Sequence, residues 1–220
     1  MRMRILTQRA LRFHGKDAFI AHLPSSVKVF DIGCGNRSPQ RTKELRSDIY
    51  YVGLDVGDYF QNVASLKYAD EYRTTSSENF VSEISKEHLN FDAVISSHNL
   101  EHCSDQYGVL RAMSGALRPG GQMYLAFPCA ESVNFPSRVG TLRFSDDPSH
   151  QLPLVWQDTI GHLSHFGMRV VFSRKRYRPI LPFLLGMALE PVSALFRTVM
   201  PLGFTWAFWG FESVIWAEKI

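Results

Sequence analysis

The sequence predicts an open, doubly wound α/β fold, and three features of its 220 residues carry that prediction. Short apolar runs alternate with longer amphipathic stretches, the pattern of a mostly parallel sheet covered by helices on both faces. The first run, VKVFDIG at 27–33, ends in glycine as a buried parallel strand feeding a tight turn does. The composition, 45% apolar and 20% charged, is that of a soluble globular protein, and a chain of this length buries roughly 70% of the surface its unfolded form exposes, so one core suffices.

The elements follow in order. An N-terminal helical segment over 1–24 precedes the first strand, and a helix from about Pro39 to Ser47 leads to a second strand, YYVGLD, at 50–55. Gly57 and Asp58 break the pattern there, and a third strand is placed over Leu66 to Tyr72. FDAVISS at 91–97, QMYLAFP at 122–128 and MRVVFSR at 168–174 are the next three strands. Between them lie helices over 105–117, with Val109, Leu110, Met113 and Leu117 on one face, and over 155–166. An apolar insert at 179–208, rich in Pro, Leu, Phe and Trp, precedes a last strand, ESVIWAEK, which brings the sheet to seven strands in a single domain over 1–220. The insert's longest charge-free stretch, Thr198 to Phe211, is shorter than the ~18 apolar residues of a membrane span. It reads as helices packed on the domain, with a peripheral contact to a membrane surface as the alternative.

A net charge of +3 does not argue for nucleic acid, which calls for a basic stripe. Two clusters, Arg2, Arg4, Arg9 and Arg12 and then Arg174, Lys175, Arg176 and Arg178, read first as solvated faces and second as a surface for anionic substrate or membrane. Cys34, Cys103 and Cys129 are odd in number and form no CxxC pair, and the basic N-terminus never develops the apolar run of an export signal, so a reducing cytoplasm, at most its membrane face, is expected.

The chemistry concentrates where strands end. Asp31, Gly33, Cys34, Gly35 and Asn36 close the first strand, and glycines at the carboxyl end of a parallel strand let backbone amides approach a ligand. Asp55 ends the second strand about twenty residues later, where an acidic side chain accepts hydrogen bonds from a ribose. A dinucleotide fingerprint would place a third glycine where Ser38 stands, and Asp31 would repel a pyrophosphate but suits the ammonium and sulfonium of S-adenosylmethionine (SAM). No GxxxxGK[ST] phosphate loop occurs.

The segments VFDIGCGNRSP, YVGLD, FDAVISSHNLEHCSD and LRPGGQMYLAFP resemble, in order and spacing, the successive motifs of the class I SAM-dependent methyltransferases, over roughly residues 27–128. The resemblance implies a Rossmann-like methyltransferase fold with SAM as cofactor. It also implies that Asp31, Gly33, Cys34 and Gly35 line the methionine and ribose, that Asp55 binds the ribose hydroxyls and that Ser97, His98 and Asn99 face the cofactor. Asp70, in the YADE segment, is the candidate for the adenine contact. The wider pattern, with DDPSH ahead of a helix and an apolar insert before the last strand, resembles small methyltransferases associated with bacterial surface-polysaccharide and lipid-linked glycan biosynthesis.

A hydroxyl acceptor of a methyl group benefits from a base, and histidine has the right pKa. His102, in HNLEH after the fourth strand, is the first candidate, with Glu101 and His98 supporting it. The loop from Cys129 to Leu152, with Glu131, Asn134, Arg138, Asp146, Asp147 and His150, is placed to cover the substrate, and His150 is the alternative base. Asp146, Asp147 and His150 match no metal-binding spacing, so no metal is expected. The acceptor expected is a sugar or similar hydroxylated small molecule, or a lipid-linked glycan. The rivals are C- or N-methylation of an apolar molecule such as a quinone precursor, with Phe204, Trp206, Phe208 and Trp209 lining its pocket, and a catalytically inactive binding module. Nucleic acid is not expected as a partner, because SHNL replaces an NPPY-type tetrad after FDAVISS.

Overall fold

Seven strands form one sheet in the order β3-β2-β1-β4-β5-β7-β6. They are β1 (Lys28–Ile32), β2 (Tyr50–Asp55), β3 (Glu71–Thr74), β4 (Phe91–Ser97), β5 (Leu117–Pro128), β6 (Met168–Arg174) and β7 (Glu212–Lys219). The structure, a computed structural model, describes residues 13–35, 37–57 and 67–220. β1 pairs in parallel with β2 and β4, β2 with β3 and β4 with β5, whereas β7 runs antiparallel between β5 and β6. The strand order reverses beside β1, the crevice where ligands bind in such sheets.

Alternation along each strand divides the core in two. Phe30, Ile32, Val52, Leu54, Val94 and Leu125 face helices α3 (Phe80–Ser85), α4 (Gln106–Ala116) and α5 (Trp156–His165), which contribute Ile84, Met113 and Leu163. Val29, Tyr51, Ala93, Ile95 and Tyr124 face the other way, onto Phe19 and Ile20 of α1 (Lys16–His22) and Leu45 of α2 (Ser38–Leu45). Asp31 shares the parity of Val29, so its carboxylate points to the side that α1 and α2 cover. Ion pairing fixes those two helices to each other: Arg41 grips Asp17 with Nε and Nη2 at 2.8 and 2.5 Å, and Arg46 donates to the Leu23 and Pro24 carbonyls at 2.8 and 2.7 Å.

The insert folds as α6 (Ile180–Phe196) and α7 (Phe204–Trp209), joined through a short 3₁₀ turn. Gly186 lets them touch, because a Cβ there would sit 2.1 Å from the Phe204 carbonyl oxygen. No helix among the described residues is long and apolar enough to cross a membrane.

Most expected boundaries hold within two residues, with three departures. β5 begins at Leu117, because Leu117 already pairs with Phe91 ahead of an irregularity in the ladder. The third strand starts at Glu71 rather than Leu66, and residue 66 lies outside the described residues. That strand is a half-exposed edge of four residues, EYRT, with no apolar run to mark it. Of the N-terminal segment, α1 is described, while Arg2, Arg4, Arg9 and Arg12 lie outside the described residues, as does Asn36 of the first glycine turn.

Candidate active site

At the carboxyl end of β1, Asp31 is fully buried, and its Oδ2 accepts from Lys16 Nζ at 2.7 Å, Ser38 Oγ at 2.5 Å and Tyr51 Oη at 2.7 Å. Its Oδ1 has no partner among the described residues. A buried carboxylate oxygen without a donor is costly, and an ammonium supplied by a ligand would satisfy it. Lys16 comes from α1 and also donates to Ser38 Oγ at 2.6 Å, so two covering helices converge on one strand end. Nothing in the sequence marks Lys16 for this place.

The chain then turns at Gly33, whose φ of +68° favours glycine and whose missing Cβ leaves the space that the Asn99 side chain takes, at 2.3 Å from where that Cβ would be. Gly33 N–H donates to the Leu54 carbonyl at 2.8 Å, and Gly35 N–H donates to Asp55 Oδ2 at 2.8 Å. Val56 N–H holds the other oxygen of Asp55 at 2.7 Å. Burial pushes the Asp55 carboxyl above its ordinary range, against the opposing pull of these amides. Cys34 contributes backbone only, since its side chain is buried against Gly53, and a Cβ on Gly53 would lie 2.7 Å from Cys34 Sγ. Burial raises all three thiols, Cys103 to about 12 and Cys129 to about 11, so none is prepared as a thiolate.

Asp70 is not part of this group. It precedes β3, where Oδ2 accepts from Tyr51 N–H at 2.6 Å and pairs with Lys43 at 2.6 Å, beside the amino-terminal half of β2. The segment at the carboxyl end of β3, Thr74 and Thr75, lies beside Asp55 instead, with Thr75 N–H on the Asp55 carbonyl at 3.0 Å. The adenine contact expected of Asp70 is therefore out of place: the misplaced strand put Asp70 at its end rather than before its start.

Ser97 ends β4, and His98 takes a left-handed conformation, φ 54°, that turns its ring between two carboxylates. Nδ1 meets Glu101 Oε1 at 3.2 Å and Nε2 meets Glu212 Oε1 at 2.9 Å, so neither ring nitrogen of His98 is free to take a substrate proton. Trp206 and Phe211 pack on the ring at centroid distances of 5.2 and 6.2 Å. His98 braces the site.

Glu101 and His102 lie in a 3₁₀ turn, Leu100–His102, and the chain brings His150 to them across the sheet edge. The His102 and His150 rings are 4.8 Å apart. Ser149 Oγ donates its single proton to Asp147 Oδ1 at 2.5 Å, so it accepts from His102 Nδ1–H at 3.0 Å, leaving the lone pair of the neutral ring on Nε2. His150 Nδ1–H donates to the Phe144 carbonyl at 2.7 Å, which leaves its Nε2 free, 4.0 Å from Glu101 Oε1 and 4.0 Å from Asp147 Oδ2. Asp147 is held below the ordinary carboxylate range: burial opposes this, but bonds from Ser149 and the nearby imidazoles outweigh it. Both candidate bases thus sit together with their tautomers set by neighbours.

The rest of the loop is structural. Asp146 accepts from the Arg138, Leu142 and Arg143 amides at 2.9, 3.1 and 2.8 Å. Buried Arg138 reaches Glu190 on α6 at 2.6 Å and also bonds Ser193. Glu131 pairs with Lys175 at 2.5 Å, and Asn134 is exposed. The basic run is likewise partly engaged, with Arg176 bonded to the Trp209 carbonyl. Trp206 and Trp209 pack with Phe135, Leu142 and Phe211 in a small core of their own, while Phe208 lies against Phe183 at 6.0 Å.

Residues 30–125 match a family model described as a methyltransferase domain. Over 104 residues the chain is 32% identical to a ubiquinone biosynthesis O-methyltransferase of Pseudomonas syringae pv. tomato, a match that covers 45% of this chain and 43% of that protein. The chain thus spans less than half the length of the curated relatives it matches. Among solved structures, a chain of the complex between the Haloferax volcanii Trm112 methyltransferase activator and a methyltransferase aligns with a TM-score of 0.63 at 14% identity, over 98% of this chain and 93% of that one. A SAM-dependent methyltransferase from Mesorhizobium loti aligns with a TM-score of 0.59 at 18% identity, over 92% and 96%. At such identities the likeness shows the fold. The sheet and its flanking helices are the Rossmann-like methyltransferase fold, and the part of it over residues 30–125 is similar to a methyltransferase domain.

Proposed function

We infer that the whole chain transfers a methyl group from SAM to a hydroxyl oxygen of a small or lipid-linked acceptor. One observation carries this reading: the cofactor-binding end and a cluster of proton-accepting groups stand side by side on the carboxyl edge, at the ends of adjacent strands β1 and β4. The fit to SAM rests on the chain's own atoms. The Oδ1 of Asp31, without a partner among the described residues, suits the α-ammonium of the methionine moiety, Lys16 suits its carboxylate, and Asp55 suits the ribose hydroxyls.

When bound, SAM supplies a methyl group on a sulfonium, whose sulfur leaves as a neutral thioether with the electron pair of the broken carbon–sulfur bond. The chain positions the acceptor so that an oxygen lone pair forms the new carbon–oxygen bond in line with that departure. The hydroxyl proton passes to an imidazole lone pair in the His102–His150 pair, and a Glu101 oxygen lies within 4.8 Å of a nitrogen of each ring.

Two observations favour an acceptor carried on an apolar tail, a class that includes both a lipid-linked sugar and a quinone precursor. The matched relatives are named for O-methylation in ubiquinone biosynthesis. In addition, Ile180, Leu184, Met187 and Leu195 fall on one face of α6, and Ile180 and Leu195 are 79% and 77% exposed. With exposed Arg178 and Arg197 at either end, this face suits the surface of an anionic membrane at the cytoplasmic side.

Calorimetric titration with S-adenosylhomocysteine, with NAD and ATP as controls, tests the reading. Saturable binding of the SAM product alone supports it and opens a search among polyprenylated phenols and lipid-linked sugars. Binding of NAD or ATP instead, or of none of the three, would sink it.

A further inference from the structure

We propose that Glu101, His102 and His150 form a divalent-cation site at the acceptor end of the active site. Each offers one ligand atom, and the three atoms lie within 4.8 Å of one another. First-row ions bound to imidazole and carboxylate sit about 2.0–2.2 Å from each ligand, which places ligand atoms roughly 3 to 4 Å apart, within reach of small side-chain rotations. The second observation is independent of proximity. Glu101 is fully buried and its Oε2 has no hydrogen-bond partner among the described residues, an unsatisfied oxygen that a bound cation would satisfy.

The surrounding bonds are those that ligating histidines need. The Phe144 carbonyl takes the Nδ1 proton of His150, and Ser149, itself bonded to Asp147, takes that of His102. Each ring therefore keeps an unprotonated Nε2 and a fixed orientation, the outer-shell arrangement that raises ligand basicity. His98 completes the frame by holding Glu101 Oε1 at 3.2 Å. Two imidazoles with one carboxylate select a borderline ion such as Zn²⁺, Mn²⁺, Co²⁺ or Fe²⁺ over Mg²⁺, and leave coordination positions open for the acceptor.

The role given to this ion rests on the methyl-transfer reading, whereas its binding does not. An acceptor hydroxyl coordinated to the ion loses its proton to solvent more readily, because the cation stabilises the oxyanion, and the bound oxygen is held in place for attack. With the ion bound, His102 and His150 act through it as ligands; in its absence their lone pairs take the proton directly, so His102→Ala slows turnover in either case. An acceptor with two adjacent hydroxyls, aromatic or on a sugar, would chelate such an ion and be preferred over one with a single hydroxyl.

The test uses the full chain, freed of metal by chelation and then dialysed. Co²⁺ is titrated while its d–d absorption is followed, and bound ion is counted by elemental analysis, with S-adenosylhomocysteine titrated in parallel. One Co²⁺ per chain is expected, displaceable by Zn²⁺, with affinity lowered about tenfold or more in Glu101→Gln and in His150→Ala. Should His150→Ala fail to fold, His102→Ala, on a half-exposed ring, gives the same readout. Absence of stoichiometric Co²⁺ binding, or binding unchanged in these variants, overturns the site. Chains that bind S-adenosylhomocysteine but no ion reject the cation and keep the methyltransferase reading; chains that bind the ion but no S-adenosylhomocysteine do the reverse.

Discussion

The two ends of the active-site edge are built differently. The proposed cofactor end is assembled from neighbours in sequence: Asp31 to Gly35 form one turn, and Asp55 ends the next strand. Lys16 is added from α1, and Asn99, after β4, fills the space beside Gly33. The acceptor end is gathered from distant segments, with Glu212 reaching His98 across 114 residues and Ser149 reaching His102 across 47. A site that must bind one invariant cofactor can be encoded in a contiguous motif. One that must fit a particular acceptor is built from loops and inserts, which change without disturbing the sheet.

Variants on the two ends should separate cleanly. The largest effect is expected of His102→Ala, with turnover slowed by roughly 10²- to 10⁴-fold and affinity for S-adenosylhomocysteine nearly unchanged, checked by steady-state kinetics beside calorimetry. A parallel loss of cofactor affinity would show that the two ends are not independent. Asp55→Ala should act in the opposite sense, weakening S-adenosylhomocysteine by about 1.5 to 3 kcal/mol through loss of hydrogen bonds to a charged group, with the thermal transition little moved.

Asp55 also predicts a pH dependence of known sign. Its folded-state pKa is raised above the ordinary 3.8 by burial, so the stability associated with its protonated form is present at low pH and lost as pH rises through the folded value. The proposed ribose contact needs the ionised form, so affinity runs the other way: it should fall as pH drops through the raised folded-state pKa, and do so less in Asp55→Asn, as a calorimetric pH series would read. Smallest of all, Asp70→Asn should leave cofactor affinity unaltered. A tenfold loss there would restore Asp70 to the site.

The same contrast governs what can be read from the sequence. Strands β2, β4, β6 and β7 are legible to the residue, since each is a contiguous run with the right period. β3 is not, because an edge strand of four half-exposed residues leaves no apolar trace, and that error carried Asp70 to the wrong end of the sheet. α3, six residues over Phe80–Ser85, is too short for helical periodicity to stand out. In the site, the turn at Gly33 and the acid at Asp55 are visible because backbone geometry demands those residue types. That Asp31 is shared by Lys16, Ser38 and Tyr51, or that His150 rather than Asp146 faces Glu101, is decided by how helices and loops return to the edge, and no local pattern records it.

The interior place of β7 bears on how this protein is made. Residues 212–219 are the last strand in order, yet they lie between β5 and β6 and pair with both. A chain emerging from the ribosome therefore presents β5 with one edge open throughout synthesis of the following ninety or so residues, and β6 has no partner until the same moment. Open edges of this kind invite pairing with other chains. The strand that joins β5 to β6 also delivers Glu212 to His98, so that a chain without residues 212–219 lacks both the closed sheet and one of the two carboxylates that hold the His98 ring.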